Sequence, residues 1–273
     1  MLRTSLAEPR TVVLIPACNE EERIGPVVRD VLRELPQAQV VVIDDGSGDR
    51  TGEVAKESGA AVLRHPFNLG YGVALQTGYH FAHRENADRV IQLDGDGQHV
   101  PASIPDLLAP LALSPTEEGA DVVVGSRFLG TAPRTSRLRR LGSKAFAFLV
   151  TRWTGQRITD PTSGFQALNR RALDHLTLDH FPEDYPDADV LIHLSRSGLR
   201  LSEVPVVMRE RLGGVSMHRG TRILFYAYKM ALSLCLLRVR RASAFRSGRA
   251  LARDRQSKLR SESTPNSQTN RRA

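Results

Sequence analysis

Cysteine is nearly absent: the 273 residues hold two, Cys18 and Cys235, far apart in the chain. Two cannot build a disulfide framework, and a reducing compartment is the expectation. The segment Met1–Arg10 lacks the apolar core of a secretory signal. No Gly-x-Gly-x-x-Gly follows the first apolar run, and there is no Gly-Lys-Ser/Thr loop. Both absences weigh against dinucleotide and P-loop chemistry. The chain also lacks a platform of interleaved aromatic and basic residues, which argues against nucleic acid as the main partner.

What is present is 41% hydrophobic and 25% charged, enough for one large α/β domain or two small ones with a real core. The net charge of +8 is unevenly placed. Residues 238–273 carry eleven Lys and Arg against two Asp and Glu, a net +9, which leaves residues 1–237 at −1. The body is near neutral and the basicity belongs to a tail. Such a tail can meet an anionic membrane surface, and its composition is that of a disordered segment.

Four β-branched or apolar runs alternate with helical patterns. Thr11–Ile15, Val40–Ile43, Ala61–Leu63 and Val90–Leu93 read as buried strands. Helices are expected from Asn19, as N-cap, to Leu35, over Asp49–Glu57, and over Val73–His83. Strand–helix alternation predicts right-handed crossovers and a mostly parallel sheet with helices on both faces. Ligands of such sheets bind at the carboxyl ends of the strands. Glu20, Asp44, Asp45, Asn68, Gly70, Asp94 and Asp96 all fall at those ends, so they face one crevice.

The fourth strand runs into Asp94-Gly95-Asp96-Gly97-Gln98-His99. Alone, Asp-Gly-Asp is an ordinary polar turn. Two carboxylates at i and i+2 can also converge on a hard divalent cation, Mg²⁺ or Mn²⁺, that keeps open positions for phosphate oxygens. Convergence with the other acids favours the second reading and a nucleotide ligand. Further on, Ala120–Val124 is a strand leading to Gly125-Ser126-Arg127. Gly142–Thr151 is an amphipathic helix, Asp160–Phe165 a turn cluster, Val190–Ser197 a helix and Leu201–Met208 a final strand. Arg222–Leu237 is apolar on most sides but falls short of the roughly twenty residues that cross a bilayer. Its aromatics and flanking arginines suit a helix lying in a membrane interface, and a core-packed helix is the alternative.

Taken in order, Ile15–Glu20, Val42–Ser47, Asn68-Leu69-Gly70, Asp94–His99, Gly125-Ser126-Arg127, Asp160–Phe165 and Glu203-Val204-Pro205 resemble family-2 glycosyltransferases of the GT-A fold. Within that family the chain looks most like the polyprenyl-phosphate, dolichyl-phosphate-mannose-synthase-like branch. The resemblance covers roughly residues 11–220 and implies a GT-A catalytic domain over 1–220. The chain departs from relatives that often carry C-terminal transmembrane helices: its own residues read as an interfacial helix over 221–241 and a basic tail over 242–273. Together these lead to the expectation of a peripheral protein on the cytoplasmic face of a membrane, with room for a membrane-protein partner.

The roles it implies are these. Pro16, Glu20 and Asp45 would line the base and ribose pocket of a nucleotide sugar, with Gly70 beside them. Asp94, Asp96 and Gln98 would hold Mg²⁺ or Mn²⁺ against the diphosphate, and Arg211 and His218 could close over it. Arg127, Arg139 and Ser143 match positions that contact an acceptor phosphate, where arginine suits the oxyanion. Cys18 departs from the family, which often has Tyr there. The expected reaction is an inverting single displacement. A lipid-phosphate acceptor is already an anion, whereas a sugar hydroxyl would need a base, for which Asp189 and then Asp187 are the candidates. The acids of 183–189 also read as helix-start charges. A nucleotidyltransferase would need a Gly-rich, Lys- or Arg-bearing loop after the first strand, which is missing. A non-catalytic adaptor would be expected to have lost Asp94 or Asp96, and both are present.

Overall fold

Thr11–Ala17 forms strand β1, buried at every position. In the computed structural model, which describes residues 8–113, 117–130, 137–178 and 188–209 (backbone alone for 137–145), β1 lies inside a sheet of seven strands. The others are β2 (Gln39–Asp44), β3 (Ala61–Arg64), β4 (Arg89–Gln92), β5 (Val122–Ser126), β6 (Gln166–Asn169) and β7 (Leu201–Pro205). Their order across the sheet is β3-β2-β1-β4-β6-β5-β7. All neighbouring pairs are parallel except those made by β6, which runs against both β4 and β5. The mostly parallel α/β architecture expected from the sequence is present. The described residues all fall in the first of the chain's two units, Met1–Gly214. The segments 221–241 and 242–273 lie outside the described residues.

Alternation along the strands assigns the two faces. Val13 and Ile15 of β1 and Val40 and Val42 of β2 meet Ile24, Val27, Val28 and Val31 in one core. Those four residues form the i, i+3, i+4, i+7 stripe of helix α1 (Glu21–Glu34). The opposite face takes Leu14 and Ile43, against which helix α3 (Tyr71–Arg84) packs so closely that a Cβ on Gly78 would sit 3.0 Å from both. Helix α2 (Thr51–Glu57) precedes β3, and α4 (Ile104–Leu108) precedes β5. Helices α5 (Arg137–Thr154), α6 (Arg170–Leu176) and α7 (Ala188–Arg196) complete the order. Among the described residues no helix is long and apolar enough to cross a membrane.

Two expectations change, and two elements were not expected. Asn19 is not the N-cap of α1; Glu20 is, and Asn19 adopts a left-handed conformation at φ 56°. The neighbouring loop supplies the caps instead: Glu20 N donates to Thr51 Oγ1 at 2.8 Å and Glu21 N to Asp49 Oδ2 at 3.3 Å. Asn19 Oδ1 in turn accepts from Gly48 N at 2.9 Å. The last strand stops at Pro205 rather than Met208, because the chain leaves β5 there and Met208 bridges to His99. Strand β6 and helix α6 carry no expectation at all. β6 is four residues long and follows a turn, too short for a periodic signal.

Candidate active site

The order β3-β2-β1-β4 places the reversal of strand order between β1 and β4, where a parallel sheet opens a crevice. On its β2 side stand Asp44 and Asp45, both buried. Asp44 Oδ1 accepts from Ser47 N at 2.9 Å and closes the turn. Gly46 lies at φ +68°, and a Cβ there would meet the Phe67 carbonyl carbon at 2.3 Å, so the turn admits only glycine. Asp45 holds the next loop: Oδ1 accepts from Leu69 N at 2.9 Å, and Oδ2 from Gly70 N at 2.8 Å. His65 Nδ1 lies 2.7 Å from the same Oδ1. A carboxylate offers about four acceptor positions, so these three contacts leave Asp45 one for a ligand.

Cys18 follows β1, half-buried, with Asn68 Nδ2 at 3.2 Å from its sulfur. Burial pushes its thiol up and Asp45, Asp44 and Asp49 reinforce the push, against the Asn68 bond, so Cys18 is a neutral lining group rather than a nucleophile. Pro16 lies within β1, and Glu20 pairs with Arg23 one turn on.

Asp94 and Asp96 leave the end of β4. Asp94 is gripped from two sides: Oδ1 accepts the Tyr71 hydroxyl at 2.9 Å and Oδ2 lies 3.1 Å from His99 Nε2. Burial alone would raise its pKa. The bonds from His99 and Tyr71, and the charges of His99 and Arg127, outweigh that and hold the carboxyl below its usual range. A polar chain continues behind it. Gln92 Nε2 donates to the Tyr71 hydroxyl at 3.2 Å, and Gln92 Oε1 accepts from the buried Tyr79 hydroxyl. Asp96 Oδ1 accepts from Gln98 N at 3.0 Å, and Gln98 O accepts from Arg209 N at 2.8 Å. His99 is buried against Phe165, and its Nδ1 has no hydrogen-bond partner among the described residues.

Asp94, Asp96 and Gln98 thus sit on one turn and offer oxygen donors only, with Asp94 ionised. That donor set fits a hard divalent cation whose remaining positions go to phosphate oxygens. Among the described residues no group of three or more His, Cys, Asp and Glu could by itself enclose a metal.

Across β6 stands Arg127, at the end of β5. Its Nε and Nη2 bind Asp160 at 2.6 and 2.7 Å, a bidentate pair with a fully buried carboxylate, and Nη2 also reaches Thr162 Oγ1 at 2.9 Å. Asp189 is buried at the start of α7, where its Oδ1 accepts from Val190 N at 3.0 Å, a helix-start role. Arg139 and Ser143 lie on the first turns of α5, with side chains outside the described residues. Arg211, His218, Glu183, Asp184 and Asp187 also lie outside them.

The sequence pattern did not point to Tyr71, Gln92 or Gly164 as supports of the Asp94 turn. Gln92 carried a signal, being a lone amide in a buried strand that needs a partner. Gly164 approaches so closely that a Cβ there would lie 2.8 Å from Asp94 Oδ1.

A doubly wound sheet with acids at its crevice is the frame of a nucleotide-binding site at the strand ends. Residues 12–177 match the family model "Glycosyl transferase family 2", and the chain belongs to that family. It is 32% identical over 232 residues to polyprenol monophosphomannose synthase of Mycolicibacterium smegmatis, covering 81% of this chain and 86% of that protein. It is 28% identical to the UDP-N-acetylglucosamine–dolichyl-phosphate N-acetylglucosaminyltransferase of Methanococcus voltae, over 86% of this chain and 98% of that one. Among solved structures, glucosyl-3-phosphoglycerate synthase from Mycobacterium tuberculosis with Mn²⁺ and UDP-glucose superposes with a TM-score of 0.62. That match has 25% identity and covers 82% of this chain and 79% of that one.

Proposed function

We propose that this glycosyltransferase moves a sugar from a nucleotide-sugar donor of the GDP-mannose or UDP-glucose type to a polyprenyl or dolichyl phosphate, with inversion. The relatives named for lipid-phosphate acceptors support the acceptor class. The observation that carries the reading is the turn between Asp160 and Phe165: Asp160 binds Arg127 through two nitrogens, and Gly164 stands against the Asp94 carboxylate. The turn supports a reading in which the Asp94 turn takes a metal–diphosphate and Arg127 an anion beside it.

Pro16, Glu20, Asp45 and Gly70 line the base and ribose end. Asp94, Asp96 and Gln98 hold Mg²⁺ or Mn²⁺, which when bound offsets charge on the departing nucleoside diphosphate. Arg211 would bind the diphosphate. Arg127, Arg139 and Ser143 receive the acceptor phosphate and orient its oxygen toward the anomeric carbon. That oxygen is already ionised near neutral pH and needs no general base; Asp189 would serve as the base toward a hydroxyl acceptor. The catalytic domain spans 1–220. The helix over 221–241 and the tail over 242–273 attach it to anionic lipid on the cytoplasmic face.

The test is a screen of nucleotide sugars with undecaprenyl phosphate, reading lipid-linked sugar. Transfer is expected, and Asp96→Ala is expected to lower it by at least about a hundredfold. Transfer to sugar hydroxyls alone would overturn the acceptor assignment. Full activity of Asp96→Ala in chelator would overturn the metal assignment. Deleting 222–273 is expected to release the protein from vesicles that contain anionic lipid.

A further inference from the structure

Glu203 of β7 faces the turn that follows Ile158. Its Oε1 accepts from Thr159 N and Asp160 N, both at 2.8 Å, and its Oε2 accepts from Thr159 N and Thr159 Oγ1, also both at 2.8 Å. Thr159 Oγ1 also meets Ser126 Oγ at 2.7 Å, so the turn is pinned to β5 as well. Burial pushes the Glu203 carboxyl up and the nearby Asp160 charge adds to that, while the Asp160 and Thr159 donors pull it down. A carboxylate kept in such a place carries a desolvation cost that only these bonds offset.

The turn has one evident recipient. Asp160 is fully buried, and its oxygens take Arg127 N at 3.0 Å together with Arg127 Nε and Nη2. A planar guanidinium bound through two nitrogens to a fixed carboxylate has its remaining edge fixed in direction. Any rotation of the 159–160 turn is therefore passed to Arg127.

We propose that Glu203 is a positioning residue for sugar transfer: it clamps the Thr159–Asp160 turn so that Asp160 aims Arg127 at the acceptor phosphate. The proposal rests on the assignment of Arg127 to that phosphate. Glu203 is assigned no substrate contact of its own, and its influence runs through the Thr159–Asp160 turn.

The experiment uses the full chain, with farnesyl phosphate as calorimetric probe and undecaprenyl phosphate in detergent micelles for kinetics. Glu203→Ala is expected to weaken farnesyl phosphate binding and raise the acceptor KM by about tenfold. The donor KM and the affinity for Mn²⁺ with nucleoside diphosphate stay as in the parent protein. Glu203→Gln keeps an oxygen for Thr159 N and Asp160 N, and is expected to recover most of the loss. In an Arg127→Ala background, Glu203→Ala is expected to add nothing.

Equal losses for donor and acceptor, or full additivity with Arg127→Ala, overturn the proposal. If Arg127→Ala leaves farnesyl phosphate binding unchanged, the assignment of Arg127 falls and the proposal with it. If Arg127→Ala weakens binding and Glu203→Ala does not, the proposal alone falls. Should Glu203→Ala fail to fold, Thr159→Val, which removes one of the four bonds, is read by the same ratios.

Discussion

Gly164→Ala tests whether the geometry around Asp94 governs metal and nucleotide binding. Gly164 lies outside the left-handed region, so a methyl group adds no backbone strain. The new Cβ would stand 2.8 Å from Asp94 Oδ1, 2.9 Å from the Tyr71 hydroxyl oxygen and 3.0 Å from Asp94 Oδ2. Carbon and oxygen need roughly half an ångström more than that, so Asp94 and Tyr71 must retreat. The retreat misaligns the carboxylate with its Tyr71 and His99 partners. Hydrogen bonds to a charged group contribute about 1.5–3 kcal/mol each. Losing one such alignment corresponds to roughly tenfold to hundredfold in affinity. The misaligned Asp94 bond should also lower stability by about 1–3 kcal/mol, partly offset by the roughly 0.4–1 kcal/mol gained from a stiffer unfolded chain, so binding is measured well below the melting temperature. Calorimetric titration of GDP and UDP with Mn²⁺ reads the affinity, and a thermal melt reads the fold. Unchanged nucleotide affinity in a normally folded Gly164→Ala protein would refute the reasoning.

His99→Phe keeps the packing on Phe165 and removes the bond to Asp94. It should lower Mn²⁺–nucleotide affinity about tenfold while leaving or raising the melting temperature, because the unpartnered Nδ1 is also removed. Asp45→Ala strips acceptors from Leu69 N and Gly70 N, and urea unfolding should show a loss of about 1–3 kcal/mol; undiminished stability would contradict the clamp. Asp49 carries the pH prediction. Burial alone would raise its carboxyl, but the Thr51 and Glu21 donors outweigh it and hold the pKa below 3.8. The unfolded chain therefore binds the proton more readily, so the stability Asp49 contributes is present above about pH 4 and is lost as the pH falls through the folded pKa. The difference between the parent protein and Asp49→Ala, about 1 kcal/mol as for other helix-start acids, should be constant from pH 5 to 7 and shrink below pH 4.

The left half of the sheet was legible because each of its strands is a run of branched apolar residues ending in a polar turn. Val12–Ile15 and Val40–Ile43 are buried on both faces, so their composition alone marks them. The acids at their ends follow from the rule that parallel strands present their carboxyl ends to ligands. The right half was less legible. Gln166–Asn169 is a strand because β4 and β5 offer it two edges, a tertiary cause that its four residues do not encode. Asn169 did carry a local signal, as its side chain caps α6 by accepting from Ala172 N. Asn19 misled because capping preference is a local rule, and here Asp49 and Thr51, from a loop thirty residues away, satisfy the helix start. The partners of Asp94 are scattered over Tyr71, His99 and Gly164, and their meeting is a property of the folded chain.

A strand that runs against its neighbours begins where they end. Because β6 is reversed, the turn that precedes it, and not the one that follows, reaches the ligand edge. β6 also separates β3-β2-β1-β4, with the Asp45 and Asp94 turns, from β5 and β7, with Arg127 and Glu203. The two groups meet at the edge through Gly164 against Asp94 and through the chain after β7, where Met208 bridges to His99 and Arg209 N donates to Gln98 O at 2.8 Å. A change on one side is felt on the other at those points. On the function proposed above, Cys18 and the 64–70 loop would bear on donor choice, and Arg127 and its supports on acceptor choice. Gly164, at the seam, leaves no room for a side chain unless Asp94 or Tyr71 moves.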